Sequence, residues 1–230
     1  RPKGRPYTSL GYHGPMAYDL KINHRRSIRL RGHDYSAGGA YFITTCVHSG
    51  AGLFGKVVEH EMQLSGAGRK VEEAWLDLPL RFPQVVFDAF RVMPNHVHGV
   101  IVIPGPGLEP SLATRTGAPI IQPYVGPGER PDVGPGLAPA LVEPRVGLTT
   151  RPAQGPALHR LGLGEVVGAF KSISAIVVNR VLARKGKSLW QEDYFEHIIR
   201  GVEDLEKIRE YIIHNPARWH EDPENPDLYG

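Results

Sequence analysis

Between positions 104 and 158 the chain carries 12 of its 21 prolines and nine glycines, with GPG repeated and no sustained apolar period. Proline brings no amide hydrogen to a ladder or a helix, and glycine loses the most backbone freedom on ordering, so this stretch predicts a disordered insertion dispensable for folding. A packed domain must therefore be assembled from two separate pieces, residues 34–103 and 159–219. An apolar fraction of 41% is enough for one substantial core between them.

The first piece opens on AYFITTCV (40–47), apolar and β-branched, and VVEHEMQLS (57–65) supplies a second strand. From Gly66 the spacing of Val71, Ala74, Trp75 and Leu78 predicts a helix. VVFDAFRVM (85–93) and HVHGVIVI (96–103) are strands joined at Pro94-Asn95 in a hairpin-type reversal. In the second piece, 163–186 predicts an amphipathic helix stopped by Gly186, 188–200 a final strand, and 202–216 a helix with acids in its first turn and Pro216 at its end. Residues 220–230 read as an irregular tail. This order predicts an α+β fold, a ferredoxin-like antiparallel sheet with helices packed on one face.

Chemistry concentrates in two places. Side chains alternate along a strand, so His96 and His98 point the same way and can share a cation. On the last helix Tyr211 and Asn215 stand four apart and lie on one face. Two neutral nitrogens, an amide oxygen and a hydroxyl suit a divalent cation such as Mg²⁺ or Mn²⁺ with positions left for phosphate oxygens. Zinc is less well suited, because Cys46 is the one cysteine and lies in an apolar run expected to be buried. His214 is the rival ligand and Tyr194 the rival hydroxyl.

Net charge is only +3, but residues 1–33 hold Arg1, Lys3, Arg5, Lys21, Arg25, Arg26, Arg29 and Arg31 against a single acid, Asp19. Such an arm suits a polyanion. No apolar run approaches a membrane span, and RPKGRPYTSLGYHG lacks the apolar core of a secretion signal, so the expected location is the cytoplasm.

The segments HRRSIRL, YFITTCV, MPNHVHGVIVI, VVGAFKSIS, LWQEDYFEHIIR and IREYIIHNPARW, in this order, resemble the REP-associated tyrosine transposases, relatives of the single-tyrosine HUH transposases of small insertion sequences. The resemblance spans 24–103 and 163–219 and implies an HUH endonuclease fold. It implies that His96 and His98 hold the metal with Asn215 as third ligand, and that Tyr211 is the nucleophile that cleaves and rejoins single-stranded or hairpin DNA at palindromic repeats through a 5′-phosphotyrosine. Arg25, Arg26, Arg29, Arg31 and Lys171 are the expected DNA ligands, and a homodimer is the candidate assembly. Two other classes stay open: a repeat-binding protein that does not cut, and a metal-dependent phosphohydrolase in which Tyr211 is structural.

If the arm grips phosphates, neutralising Arg25, Arg26 and Arg29 together should make the salt dependence of single-strand binding shallower, by up to about 0.7 in log–log slope per lost contact. Binding titrations across a salt series measure this; an unchanged slope would reduce the arm to a solvated tail.

Overall fold

The protein is described from a computed structural model, which covers residues 32–108, 112 and 161–229. The basic arm, with Arg25, Arg26, Arg29 and Arg31, lies outside the described residues, as does most of the Pro/Gly-rich stretch. In chain order the elements are β1 (Gly39–Cys46), β2 (Gly55–Val58), β3 (Glu61–Leu64), α1 (Gly66–Leu76), α2 (Leu78–Arg81), β4 (Val86–Val92), β5 (His96–Ile103), α3 (Leu163–Val181), β6 (Phe195–Ile199) and α4 (Val202–His214). Two 3-10 turns follow, Pro216–Glu221 and Pro226–Tyr229. No helix among the described residues is long and apolar enough to cross a membrane.

The main sheet runs β4-β5-β1-β6 with every neighbouring pair antiparallel. With α1 and α3 as the crossovers, this is the β-α-β-β-α-β arrangement of a ferredoxin-like fold, as the element order predicts. Helices cover both faces, however, and not one. Val71 and Trp75 of α1 and Val166, Val167 and Phe170 of α3 pack with Tyr41, Ile43, Val97 and Ile101 on one side. On the other, Leu205, Ile208 and Ile212 of α4 pack with Phe42, Val100 and Val102. The apolar stripe of α4 needs a sheet face of its own, because α1 and α3 fill the first. Trp75 lies so close under β5 that a Cβ on Gly99 would come within 2.4 Å of its ring, which makes a glycine necessary directly after His98.

Local departures from the sequence reading have physical causes. The single strand expected over 57–65 is a hairpin, because Glu59 and His60 both adopt left-handed backbone (φ 50° and 68°) and reverse the chain. Neither residue is a glycine or asparagine, so the turn carries no compositional mark. The helix expected to reach Gly186 ends at Val181, with Ala183 left-handed at φ 52° just beyond it. Of the strand expected over 188–200 only Phe195–Ile199 joins the sheet; Trp190 instead makes an isolated bridge to Val47 and donates its indole N–H to Ser174 Oγ at 2.9 Å. The first residues after position 104 still touch the core. Gly105 sits where a Cβ would meet the Ala37 carbonyl at 2.2 Å, and Leu108 and the buried Leu112 pack into the cluster under α4.

What fixes α4 along the sheet is a buried ion pair. Asp88 is fully buried at an irregularity of β4, where the pairing with β5 shifts register between Phe87 and Phe90. Arg209 of α4 meets it in bidentate fashion, Nε donating to Oδ1 at 2.8 Å and Nη2 to Oδ2, while Nη1 donates to Glu206 at 2.9 Å. Arg209→Ala leaves the Asp88 carboxylate buried and unpaired and should cost about 3–5 kcal/mol by urea denaturation, whereas Asp88→Leu combined with Arg209→Met should recover most of that loss. A single-variant cost below about 1 kcal/mol would show that the pair does not pin α4.

A candidate metal and tyrosine site on the α4 face of the sheet

The second histidine of the H-x-H pair faces Thr44 across the strand pair, and the first faces Cys46. Both imidazoles are buried, His96 completely. Their ring nitrogens are sorted by their neighbours. The Asn95 amide donates Nδ2 to the carbonyls of Gly50 at 3.0 Å and Glu224 at 2.6 Å, so its Oδ1 is the atom that faces His96 Nδ1 at 2.9 Å. His96 Nδ1 must then carry the proton, which leaves a lone pair on Nε2. His98 Nδ1 lies 2.8 Å from the Thr44 hydroxyl, and the two Nε2 atoms are 3.0 Å apart. Burial pushes the His96 pKa down to about 3, and burial together with His96 pushes His98 well below the usual imidazole value. Both are neutral, the protonation state of a metal-binding histidine.

An oxygen acceptor closes on the same point from the chain that follows α4. Asp222, in the chain just after the first 3-10 turn, brings Oδ2 to 3.8 Å from His96 Nε2. His96, His98 and Asp222 form a buried group, with ligand atoms all within 4.8 Å of one another, that could hold a metal ion. Asp222 Oδ2 and Asn215 Oδ1 are both buried without a hydrogen-bond donor among the described residues. A buried carboxylate oxygen with no donor, set beside two neutral imidazoles, is an arrangement that a cation satisfies and that apolar packing does not. The donor set therefore fits a metal. Behind it, Glu224 is raised to about 7, first by burial and further by Asp222, while a side-chain hydrogen bond with Cys46 works the other way. Burial and Glu224 in turn push the Cys46 thiol up, away from the reactive thiolate.

The phenol of Tyr211, half-buried on α4, lies 3.5 Å from His98 Nε2. Burial and then Asp222 push its pKa up, opposed by a side-chain hydrogen bond from Asn215 and by the charge of Arg218. Phe42 holds the rings in place, stacking on His98 with centroids 5.4 Å apart and meeting Tyr211 edge-on at 6.0 Å.

The fold thus brings His96, His98, Tyr211 and Asn215 together. Asn215 is not merely the end of its helix: it is buried, in helical backbone, and its side chain hydrogen-bonds with the Tyr211 phenol. The rivals lie elsewhere. His214 is exposed, and Tyr194 packs against the cluster on the opposite face of the sheet. The Lys171 ammonium donates to the carbonyls of Gln191 and Glu192 at 2.7 and 2.6 Å and approaches that of Asp193 at 3.5 Å, which fastens the chain before β6. His197 of β6 pairs with Asp204 at 3.0 Å.

Asp222 is the residue that sequence reasoning missed. The tail PARWHEDPENPDLYG has no period, yet Asp222 and Asn225 are buried and the 3-10 turns return the chain to the start of β5. The available signal was local: an aspartate followed by Pro and Glu-Asn-Pro, a turn-forming run that ends a helix and folds back.

No known family profile matches the chain. A structure described as a REP-associated tyrosine transposase bound to a REP hairpin aligns over 85% of this chain and 72% of its own, with 14% identity and a TM-score of 0.42. An uncharacterized protein of Haemophilus influenzae (strain Rd KW20) is 34% identical over 209 residues, 89% of this chain and 95% of the relative. Identity at that level across nearly the whole of both sequences places the chain in one family with the Haemophilus influenzae protein.

Proposed function

We propose that the protein is a metal-dependent single-stranded DNA endonuclease of the transposase type, which cleaves and rejoins strands at hairpin repeats through a tyrosine. One observation carries the reading: a phenol oxygen stands 3.5 Å from a histidine nitrogen of a buried group whose unsatisfied acceptors suit a cation. The family motifs HVH and EYIIHNP supply these same residues, and the basic N-terminal arm supplies charge for phosphates.

His96, His98 and Asp222 would hold the ion, with Asn215 Oδ1 as the neutral ligand. Two imidazoles, a carboxylate and an amide oxygen, with no thiolate among them, suit Mg²⁺ or Mn²⁺. When bound, such an ion supplies Lewis-acid charge against phosphate oxygens. Tyr211 enters as the neutral phenol, since burial holds its proton on. Its oxygen forms a new P–O bond to the 5′ side of the cut as the P–O3′ bond breaks. The phenolic proton is lost to solvent, and the 3′ oxygen takes one up to leave as a hydroxyl. Because one phosphodiester replaces another, the link can be resealed onto a second 3′-OH, which hydrolysis would prevent. Phe42 and α4 fix the ring beside the ion, so little motion is needed at the moment of attack.

The test is a denaturing gel with a single-stranded hairpin labelled 3′ of the cut. Wild type should give an SDS-resistant adduct, lost on chelation and restored by Mg²⁺ or Mn²⁺. Tyr211→Phe should still bind DNA yet give no adduct and cut at least about 1000-fold more slowly. Cutting by the wild type with no adduct would favour the phosphohydrolase, and an adduct that survives Tyr211→Phe would move the nucleophile elsewhere.

A further inference from the structure

The chain has three tryptophans, and two of them are core residues: Trp75 is 0% exposed and Trp190 is 4% exposed. Trp219 differs. It is half-buried on the 3-10 turn that follows α4, with its ring centroid 6.1 Å from that of His96 and tilted by 33°. One side of the indole thus closes the metal group from outside while part of it stays open to solvent. Its neighbours Arg218 and His220 are exposed, and Arg218 lies near enough to the Tyr211 phenol to oppose the effect of burial there.

The turn that carries Trp219 is the one that delivers Asp222. The Asp222 amide donates to the Trp219 carbonyl at 3.1 Å, and the Asn225 side chain donates to the same oxygen at 3.0 Å. The indole is therefore held in a fixed relation to a carboxylate of the metal group. An aromatic face left partly open, beside the exposed Arg218 guanidinium and fixed one ring away from the metal group, matches what single-stranded nucleic acid asks of a protein: a π-surface for a base and positive charge for the backbone. A wall that only excluded water would need neither the open area nor the flanking charge.

Building on the DNA-cleavage reading above, we infer that Trp219 is a stacking platform for the base of the nucleotide beside the scissile phosphate, with Arg218 contacting the adjoining phosphate. Every base offers a π-face, so the platform positions the strand without reading its sequence. Trp219 touches the substrate next to the reacting atoms and leaves phosphate activation to the metal group and attack to Tyr211.

The experiment compares full-length wild type, Trp219→Ala and Trp219→Phe in binding two labelled single strands, a deoxythymidine homopolymer and a backbone of the same length made of abasic units. Wild type should prefer the strand with bases, and Trp219→Ala should weaken binding to it by about five- to 150-fold while leaving the abasic strand unchanged. Trp219→Phe should keep most of the preference. Intrinsic fluorescence gives a second readout: base binding should quench the wild type, whereas Trp219→Phe, with Trp75 and Trp190 both buried, should show no quench. If Trp219→Ala weakens both strands equally, or if the quench persists in Trp219→Phe, the stacking role is wrong while DNA binding stands. If the wild type binds neither strand, nor a hairpin, the DNA reading falls and the platform falls with it.

Discussion

Two imidazoles placed side by side in an inner strand, buried on both faces of the sheet, constrain everything around them. Ionising either ring there is opposed by desolvation, so both stay neutral, and the Asn95 amide then dictates that His96 turns a lone pair inward. The Nε2 atoms meet at 3.0 Å with a buried, unpaired carboxylate oxygen of Asp222 beside them at 3.8 Å from His96. In a protein core such a convergence of acceptors is destabilising unless something positive occupies it. The rest of the local architecture serves to tolerate and exploit that concentration: Thr44 and Asn95 orient the rings, Phe42 braces them, and Gly99 admits Trp75 beneath.

Three chain segments close the site, β5 and, far downstream, α4 with the tail that directly follows it, and each has its own anchor. β5 is held by pairing on both sides, with β1 and β4. α4 is held by the Asp88–Arg209 ion pair, which sits two residues before Tyr211 and so sets the height of the phenol above the sheet. The tail is held by Asn95, whose amide donates to the Glu224 carbonyl, and this brings Asp222 and Trp219 to the rim. Asn95 is thus shared: one side chain assigns the His96 tautomer and fastens the tail that completes the ligand set. A strand-turn residue that reads as simple punctuation beside Pro94 becomes the link between the sheet and the last ligand.

How much of this the sequence disclosed depends on the range of the interactions involved. Apolar, β-branched composition marked β1, β4 and β5, helical spacing marked α1, α3 and α4, and alternation put His96 and His98 on one face. The four-residue step from Tyr211 to Asn215 likewise follows from helix geometry alone. The hairpin at Glu59-His60 escaped notice because its left-handed residues are not the usual ones. Lys171 looked like a cation for DNA, and only tertiary structure shows its protons directed at three backbone carbonyls. Asp222 was out of reach for the same reason, since its role depends on a chain reversal that no period announces. The second helical layer was hidden in the balance of faces: α4 has an apolar stripe, but which side of the sheet receives it is decided by α1 and α3 filling the other.

Whether the buried group of His96, His98 and Asp222 takes up a divalent cation is measured by titrating the protein with Mn²⁺ while following the loss of the free-ion electron paramagnetic resonance signal. One ion should bind per chain, with no binding at that site after His96→Ala with His98→Ala, and with affinity at least about tenfold weaker in Asp222→Asn. Equal uptake of Mn²⁺ by the wild type and the double histidine variant, or no uptake by the wild type, would rule out a metal centre at these histidines.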